Sequence, residues 1–371
     1  MKILIAPDKF KGSLSAAQLS GILSTVLTEN GHECMIHPLA DGGDGSIEIL
    51  EHYLDVEKVF VKTIDPLARE ISCFYLRSDN TAFIELASAS GYALLQKEER
   101  NPMHTSTKGT GRMIRHAIEA GAKQILLFLG GSSTNDAGVG ILSELGFTFL
   151  DKSGQELEPV GKNLINIASI TAPKSKELLE STFILLCDVT NPLYGESGAA
   201  YTYARQKGAS DKEIIALDDG LINFAKVLQK TVNIDVQAIP GTGAAGGIPA
   251  GLIALMGAQK KSGAEYFMGL TAFNLRLDEC DIVITGEGGL DGQSLHGKVP
   301  GSVLQRARLH EKPVYFFVGH CKYEELPQIP KDHVYAVMDI ATDESDAFLH
   351  THEYIIRLVQ QFVHVLSSQE E

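Results

Sequence analysis

The 371-residue sequence is poor in the features that mark several large classes of protein. Its five cysteines, Cys34, Cys73, Cys187, Cys280 and Cys321, are odd in number, widely spaced and without a C-x-x-C pair. Neither a disulfide framework nor a zinc knuckle is indicated, and free core thiols are expected. Proline numbers only 13 and no triplet repeats, which excludes collagen-like and low-complexity chains. No apolar run approaches the roughly 20 residues of a membrane-spanning helix. The apolar stretch that opens MKILIAPDKFKG is too short for the core of a secretory leader. Positive charge is scarce as well: 32 Lys+Arg against 47 Asp+Glu leave a net −15. Nucleic-acid binders and proteins held to anionic membrane surfaces present basic faces, so neither partner is expected. These absences together point to a cytoplasmic protein. An anionic small molecule stays admissible, because a site can be locally positive inside a negative field.

Glycine is what the chain has in excess: 36 residues, about a tenth of the total against a usual ~7%. Without a repeat to absorb them, these glycines must serve particular loops. Around the loops, short apolar runs alternate with helical patterns, which predicts an α/β fold with a largely parallel sheet. Lys2–Ala6 reads as a buried strand. Ser15 and Gln18 then offer a capping box, followed by Leu19, Ile22, Leu23, Val26 and Leu27 at helical spacing and Asn30-Gly31 as the stop. Further strands are expected at 124–129, 183–187, 281–285, 314–318 and 334–338. Helices are expected near 107–120, 136–145 and 347–366. Ligands in such folds sit beyond the carboxyl ends of the strands.

Five strand-end loops carry groups suited to chemistry. Pro7-Asp8-Lys9-Phe10-Lys11-Gly12-Ser13 puts two lysines and a carboxylate ahead of a helix, where free amides favour an anion. Asp41-Gly42-Gly43-Asp44-Gly45 sets glycines between two carboxylates that could hold Mg²⁺ or take a proton; its spacing is not that of an EF-hand. Gly130-Gly131-Ser132-Ser133-Thr134-Asn135-Asp136 offers a backbone cradle for phosphate or carboxylate, with helix capping by Ser133 or Thr134 as the plainer alternative. Asp188 and Asn191 follow the strand at 183–187, as site residues or as ordinary structure. The fifth loop, Thr285 to Pro300, contains Gly292-x-x-x-x-Gly297-Lys298, but Val299 stands where a phosphate loop needs Ser or Thr for Mg²⁺. Lys298 remains a candidate phosphate contact.

A further run, Gly241-Thr242-Gly243-Ala244-Ala245-Gly246-Gly247, matches G-x-G-x-x-G after the strand-like Val236–Ile239, with Glu265 spaced to meet a ribose hydroxyl. Its mid-chain position and the early Pro249 count against a dinucleotide fold. His350-x-His352 lacks zinc spacing, and no G-x-S-x-G elbow is present, which disfavours an α/β-hydrolase.

With these loops in order, the chain resembles the bacterial-type glycerate kinases of the first family. The resemblance rests on Ala6–Ser15, Ala40–Gly45, Gly130–Asp136, Asp188–Leu193, Gln206-Lys207-Gly208-Ala209, Gly241–Gly247, and Thr285-Gly286-Glu287-Gly288 leading to Asp291 and Lys298. Each match is common, whereas the ordered set is specific. Gly289 stands where the family usually has Arg, and Arg205 where Pro usually precedes Gln206.

The resemblance implies ATP-dependent phosphorylation of D-glycerate with Mg²⁺ as cofactor, 2-phosphoglycerate being favoured over 3-phosphoglycerate. It also implies two α/β domains, one flavodoxin-like (Rossmann-like, three-layer) with a parallel sheet, and an active site in the cleft between them. The expected division is 1–64 plus 275–371 against 65–274. Phosphoryl transfer needs positioning and charge neutralisation. Asp41, Asp44 and Asp188 are accordingly the expected metal ligands, and Lys11, Lys207 and Lys298 the candidate cations. Asp8, Asp188, Glu287 and Asp291 could accept the glycerate hydroxyl proton, with Asp188 and Glu287 ranked first. Lys9, Gly130, Gly131, Ser132, Asn135, Asn191, Gly241, Gly243 and Gly246 complete the expected substrate and nucleotide contacts. A homo-oligomer is compatible with all of this. Two rivals are a nicotinamide-dependent oxidoreductase using Gly241–Gly246 and a non-enzymatic binder of small carboxylates.

Overall fold

The computed structural model describes residues 1–10, 12–43, 45–174, 178, 180–295 and 297–369; Lys11 and Asp44, two of the expected site residues, lie outside the described residues. The strands in chain order are β1 (Lys2–Ile5), β2 (Glu33–Ile36), β3 (Glu57–Ile64), β4 (Glu70–Ser78), β5 (Thr81–Glu85), β6 (Gln124–Phe128), β7 (Thr148–Leu150), β8 (Ser169–Thr171), β9 (Thr182–Leu186), β10 (Gln259–Lys261), β11 (Ile282–Leu290), β12 (Val314–Cys321) and β13 (Val334–Ala336). The chain divides into two compact units, residues 1–41 with 262–371, and residues 42–261.

The first unit is built on a five-stranded sheet in the order β13-β12-β11-β1-β2, parallel throughout. Ile3, Leu4 and Ile5 of β1 are fully buried, which is why the strand reads as an unbroken apolar run rather than an alternation. The helix Ala16–Glu29 begins with the expected capping box: Gln18 N–H donates to Ser15 Oγ at 3.2 Å and Ser15 N–H to Gln18 Oε1 at 2.8 Å. Leu19, Leu23, Val26 and Leu27 form its buried face, in one core with Ile284, Phe317 and Phe362. The single helix expected at the C-terminus is two, Glu344–Leu349 and Thr351–Gln369. At the break the Thr351 hydroxyl donates back to the Ala347 and Phe348 carbonyls and accepts from Ser13 Oγ. Strand order reverses between β1 and β11, and in doubly wound sheets the ligand crevice opens beyond the carboxyl ends at such a reversal.

The second unit holds a six-stranded sheet, β10-β9-β6-β5-β4-β3. Its first four strands are parallel, whereas β5-β4-β3 is an antiparallel meander, so this sheet is mixed where the first is wholly parallel. β3 pairs with β4 along its whole length, from Glu57↔Arg77 to Ile64↔Glu70. Residues 57–64 therefore belong with the second unit and not, as the expected boundary had it, with the first. The β7–β8 ladder is separate and antiparallel. Among the described residues, no helix is long and apolar enough to cross a membrane, and the five cysteines are free, with Cys73 and Cys280 buried and the other three partly exposed.

Candidate active site

At the reversal point, backbone hydrogen bonds continue beyond the end of β1. Ala6 N–H donates to Ile284 O at 2.7 Å, Asp8 N–H to Gly286 O at 2.8 Å, and Leu39 N–H to Pro7 O at 3.0 Å. Thr285 Oγ1 adds a bond to Ala6 O at 2.9 Å. These bonds bring Asp8, Asp41 and Glu287 close enough to feel one another's charge. Gly286 is required here, since a Cβ would lie 2.0 Å from the Phe317 carbonyl oxygen.

Glu287 is only 8% exposed and Asp8 only 7%. Burial pushes the Glu287 carboxyl up to about 7; Lys298 pulls it back down, while Asp41 and Asp291 push it further up. Its Oε2 lies 4.0 Å from Lys298 Nζ, and its Oε1 has no hydrogen-bond partner among the described residues. Asp8 is held well above the usual carboxylate range by burial and by the charges of Asp41 and Glu287. The Lys9 N–H (2.7 Å to Asp8 Oδ1) and the Lys9 ammonium oppose that rise. Burial and mutual repulsion thus favour the protonated form of both carboxyls.

The remainder of this loop does not form a phosphate cradle. Gly292–Leu295 is a short 3-10 turn whose start Asp291 caps, its Oδ1 accepting from Gln293 N–H at 2.9 Å and Ser294 N–H at 3.1 Å. Gly292 N–H is taken by Glu325 Oε2 at 2.9 Å. Asp291 thus has a local structural role. Lys298 caps the helix Val299–Leu309 with its side chain partly exposed.

In the second unit, Lys207 is 5% exposed. Its Nζ donates to Thr134 O at 2.7 Å and Ser132 Oγ at 3.3 Å. Burial brings the ammonium down to about 7, against the opposing pull of Asp136. Asp136 is wholly buried and its carboxylate accepts from Thr107 N–H, Thr107 Oγ1, Gly138 N–H and Gly140 N–H. The sequence reading did not assign Asp136 a role; the signal was its place at the end of the Gly130 loop, four residues before Gly140. Capping by Ser133 or Thr134 does not occur. Ser133 Oγ donates to Ser90 O, and the helix Val139–Glu144 is preceded by Gly138 at φ +77°.

Asn135 is 0% exposed, with neither amide atom partnered among the described residues. Asn191, by contrast, has its amide in use: Nδ2 donates to Ser197 O at 2.8 Å and Oδ1 accepts from Tyr203 OH at 2.7 Å. Asp188 is half-buried just beyond β9. Among the described residues, no cluster of three or more His, Cys, Asp or Glu side chains is arranged to hold a metal.

The Gly241 run is not a dinucleotide fingerprint. Val236–Ala238 is a 3-10 turn rather than a strand. Gly241 N–H donates to Thr190 O and Gly243 N–H to Asn191 O, so neither amide is available to a pyrophosphate. Glu265, the expected ribose contact, belongs to the other unit and is paired with Arg306. The glycines serve close packing: a Cβ on Gly243 would lie 2.1 Å from Pro192 O, and one on Gly246 2.1 Å from Thr134 O. The oxidoreductase rival loses its site.

The model of the glycerate kinase family matches residues 3–367. The chain belongs to the glycerate kinase family. It is 40% identical over 326 residues to the glycerate 2-kinase of Escherichia coli, covering 86% of this chain and 85% of that one. It is 36% identical over 360 residues to a glycerate kinase of Bacillus cereus, covering 94% and 93%. Among solved structures it matches a putative glycerate kinase 2 from Salmonella typhimurium at TM-score 0.81 and 34% identity, over 100% of this chain and 99% of that one. The Asp8–Glu287 cluster and the Gly130–Asp136 loop with Lys207 are thus features of a glycerate kinase family member.

Proposed function

We propose that the protein transfers the γ-phosphoryl group of ATP to a hydroxyl of D-glycerate, forming 2-phosphoglycerate. The observation that carries this reading is Glu287: a carboxylate nearly closed from water, with an unpartnered oxygen and an ionisation near neutrality, at the strand-order reversal of a parallel sheet. The order 2-1-3-4-5 within the first unit supports a flavodoxin-like domain, whose ligands gather at that point. Glu287 accepts the proton of the attacking hydroxyl, since a general base works best with an ionisation near the operating pH. Asp188 is the second candidate base.

The residues fit Mg²⁺ carried in with a nucleotide, which takes one or two carboxylates and fills its other positions with phosphate and water. Asp41, beside the raised Asp8, is the ligand proposed in the first unit; Asp44 and Asp188 are the other two. The ion would neutralise charge on the phosphates. Lys298, Lys11 and Lys9 supply positive charge to the phosphates, and Gly130 and Gly131 the backbone of a substrate loop.

The test is ADP formation from ATP, D-glycerate and Mg²⁺ supplied together; its absence would sink the kinase reading. A two-lobed binder that takes up glycerate without consuming ATP would give that result. Product NMR distinguishes phosphate on C2 from phosphate on C3. Lys298→Ala is expected to lower kcat/KM at pH 7 by about tenfold or more and to move the acid limb of the pH profile upward. The ammonium now favours ionised Glu287, and its loss leaves the carboxyl higher. An acid limb that stays in place would remove Lys298 from this role.

A further inference from the structure

Two groups in the second unit are left incomplete by the fold. The Asn135 side chain is closed from solvent with both its oxygen and its nitrogen unpartnered among the described residues. Turning the amide over changes nothing, because both ends are orphaned. A buried donor and a buried acceptor left unmade are both costly, so the site asks for a ligand that both donates and accepts. One residue earlier, Thr134 O receives the Lys207 ammonium, whose hydrogen-bond partners are neutral oxygens. The nearby Asp136 carboxylate already accepts from four other donors.

The Ser132 hydroxyl is held loosely. Its contacts with Thr134 O, Thr134 Oγ1, Ala245 O and Lys207 Nζ lie at 3.2–3.4 Å, long beside the ~2.7–2.8 Å of a good hydroxyl bond. Ser132 retains 7% exposure and Lys207 5%, so both polar groups are held in a largely closed setting.

We propose that Lys207, Ser132 and Asn135 form the seat for the 2-hydroxycarboxylate end of the substrate. In the nucleotide-free complex the ammonium and the Ser132 hydroxyl take the carboxylate, and the Asn135 amide donates to a carboxylate oxygen while accepting from the neighbouring 2-hydroxyl, a bond given up before that hydroxyl loses its proton in the transfer step. This inference rests on the kinase reading above and names the part of the acceptor that the second unit recognises. A phosphate group ionised at neutral pH offers acceptors only and would leave Asn135 Oδ1 orphaned; a 2-hydroxy acid satisfies both ends. Burial weakens the charge on Lys207 at neutral pH, so an anion that restores it gains affinity.

The experiment compares D-glycerate with 3-hydroxypropionate, which lacks the 2-hydroxyl. Binding to the full chain without nucleotide is read by calorimetry, and turnover with ATP gives KM for each substrate. Wild type is expected to prefer D-glycerate in binding by about tenfold or more, and Asn135→Ala to lose that preference to within about threefold. Lys207→Met is expected to raise KM for D-glycerate by about thirtyfold or more while leaving KM for ATP within about threefold.

If KM for ATP rises instead and glycerate affinity stays, the seat belongs to a nucleotide phosphate and the proposal is overturned. An Asn135→Ala enzyme that keeps the preference means the amide is satisfied by internal water alone, which also overturns it. Should Asn135→Ala fail to fold, Asn135→Ser and Lys207→Arg carry the same comparison. Absence of turnover in wild type would fail the kinase reading, whereas the nucleotide-free binding preference tests the seat by itself.

Discussion

Glu287→Gln is expected to lower kcat by about 10²–10⁴-fold and, in the same molecule, to raise the stability of the metal-free protein above pH 7. The first effect follows from removing the proton acceptor while keeping its shape. The second follows from the raised ionisation of the native carboxyl. The unfolded chain releases this proton near 4.5, whereas the folded chain holds it until about 7. Between those values the native state binds this proton more than the unfolded one does, so the contribution of Glu287 to stability falls as pH rises across that window and is constant outside it. A shift of this size corresponds to at most about 3 kcal/mol. Glutamine carries no charge into the buried position and escapes that loss, less whatever the Lys298 contact contributed.

Thermal unfolding in EDTA should therefore show the two proteins alike near pH 4.5 and the variant ahead near pH 8, by a few degrees at about 2–4 °C per kcal/mol. A variant that is inactive and also less stable at pH 8 would mark Glu287 as a structural carboxylate. A variant retaining kcat within about threefold would pass the role of base to Asp188.

What could be read from the residues alone follows a physical division. β1, β6 and β9 are buried between layers and announce themselves as apolar runs, and the helix at Ala16 carries its own cap in Ser15 and Gln18. The β3–β4 hairpin left no such mark. Its turn contains neither Asn-Gly nor Asp-Gly, the usual signal. Ala68 takes φ +66°, and the Asp65 side chain ties the turn by accepting from Leu67 N–H and Arg69 N–H at 2.9 Å each. β3 also leaves Phe60 exposed and Glu57, Lys58 and Lys62 in solvent, so it does not read as a core strand.

The candidate site was legible as a set of residue types at strand ends, but not in its states. Glu287, Lys207 and Asn135 can each be named from the sequence. That Glu287 and Lys207 are buried enough to ionise near neutrality, and that Asn135 is buried without partners, depends on neighbours hundreds or tens of residues away. Asn191 and Asp291 illustrate the converse. Both are polar residues in eligible loops, yet the Asn191 amide and the Asp291 Oδ1 are engaged by Tyr203, Ser197, Gln293 and Ser294.

Gly246→Ala is expected to destabilise the second unit by about 3–5 kcal/mol, although the change adds one methyl group. Two independent penalties fall on the same atom. Gly246 sits at φ +75°, where an L-residue costs about 1–2 kcal/mol. The added Cβ would also lie 2.1 Å from Thr134 O and 2.7 Å from Asn135 Cα. Those neighbours are backbone atoms and cannot swing aside as a side chain would. Gly246 O further accepts from Ala137 N–H, so displacing this turn also disturbs the loop that carries Asn135 and Asp136.

Gly257→Ala is the internal control, because Gly257 has φ +64° with nothing within 4 Å of its would-be Cβ; it should cost only the conformational term of about 1 kcal/mol. The gap between the two variants, read as thermal midpoints at about 2–4 °C per kcal/mol, measures the close approach alone. If Gly246→Ala matched Gly257→Ala in stability and yet lost nucleotide binding, the glycines would be serving a phosphate, as their spacing first suggested, and the packing role assigned to them here would be wrong.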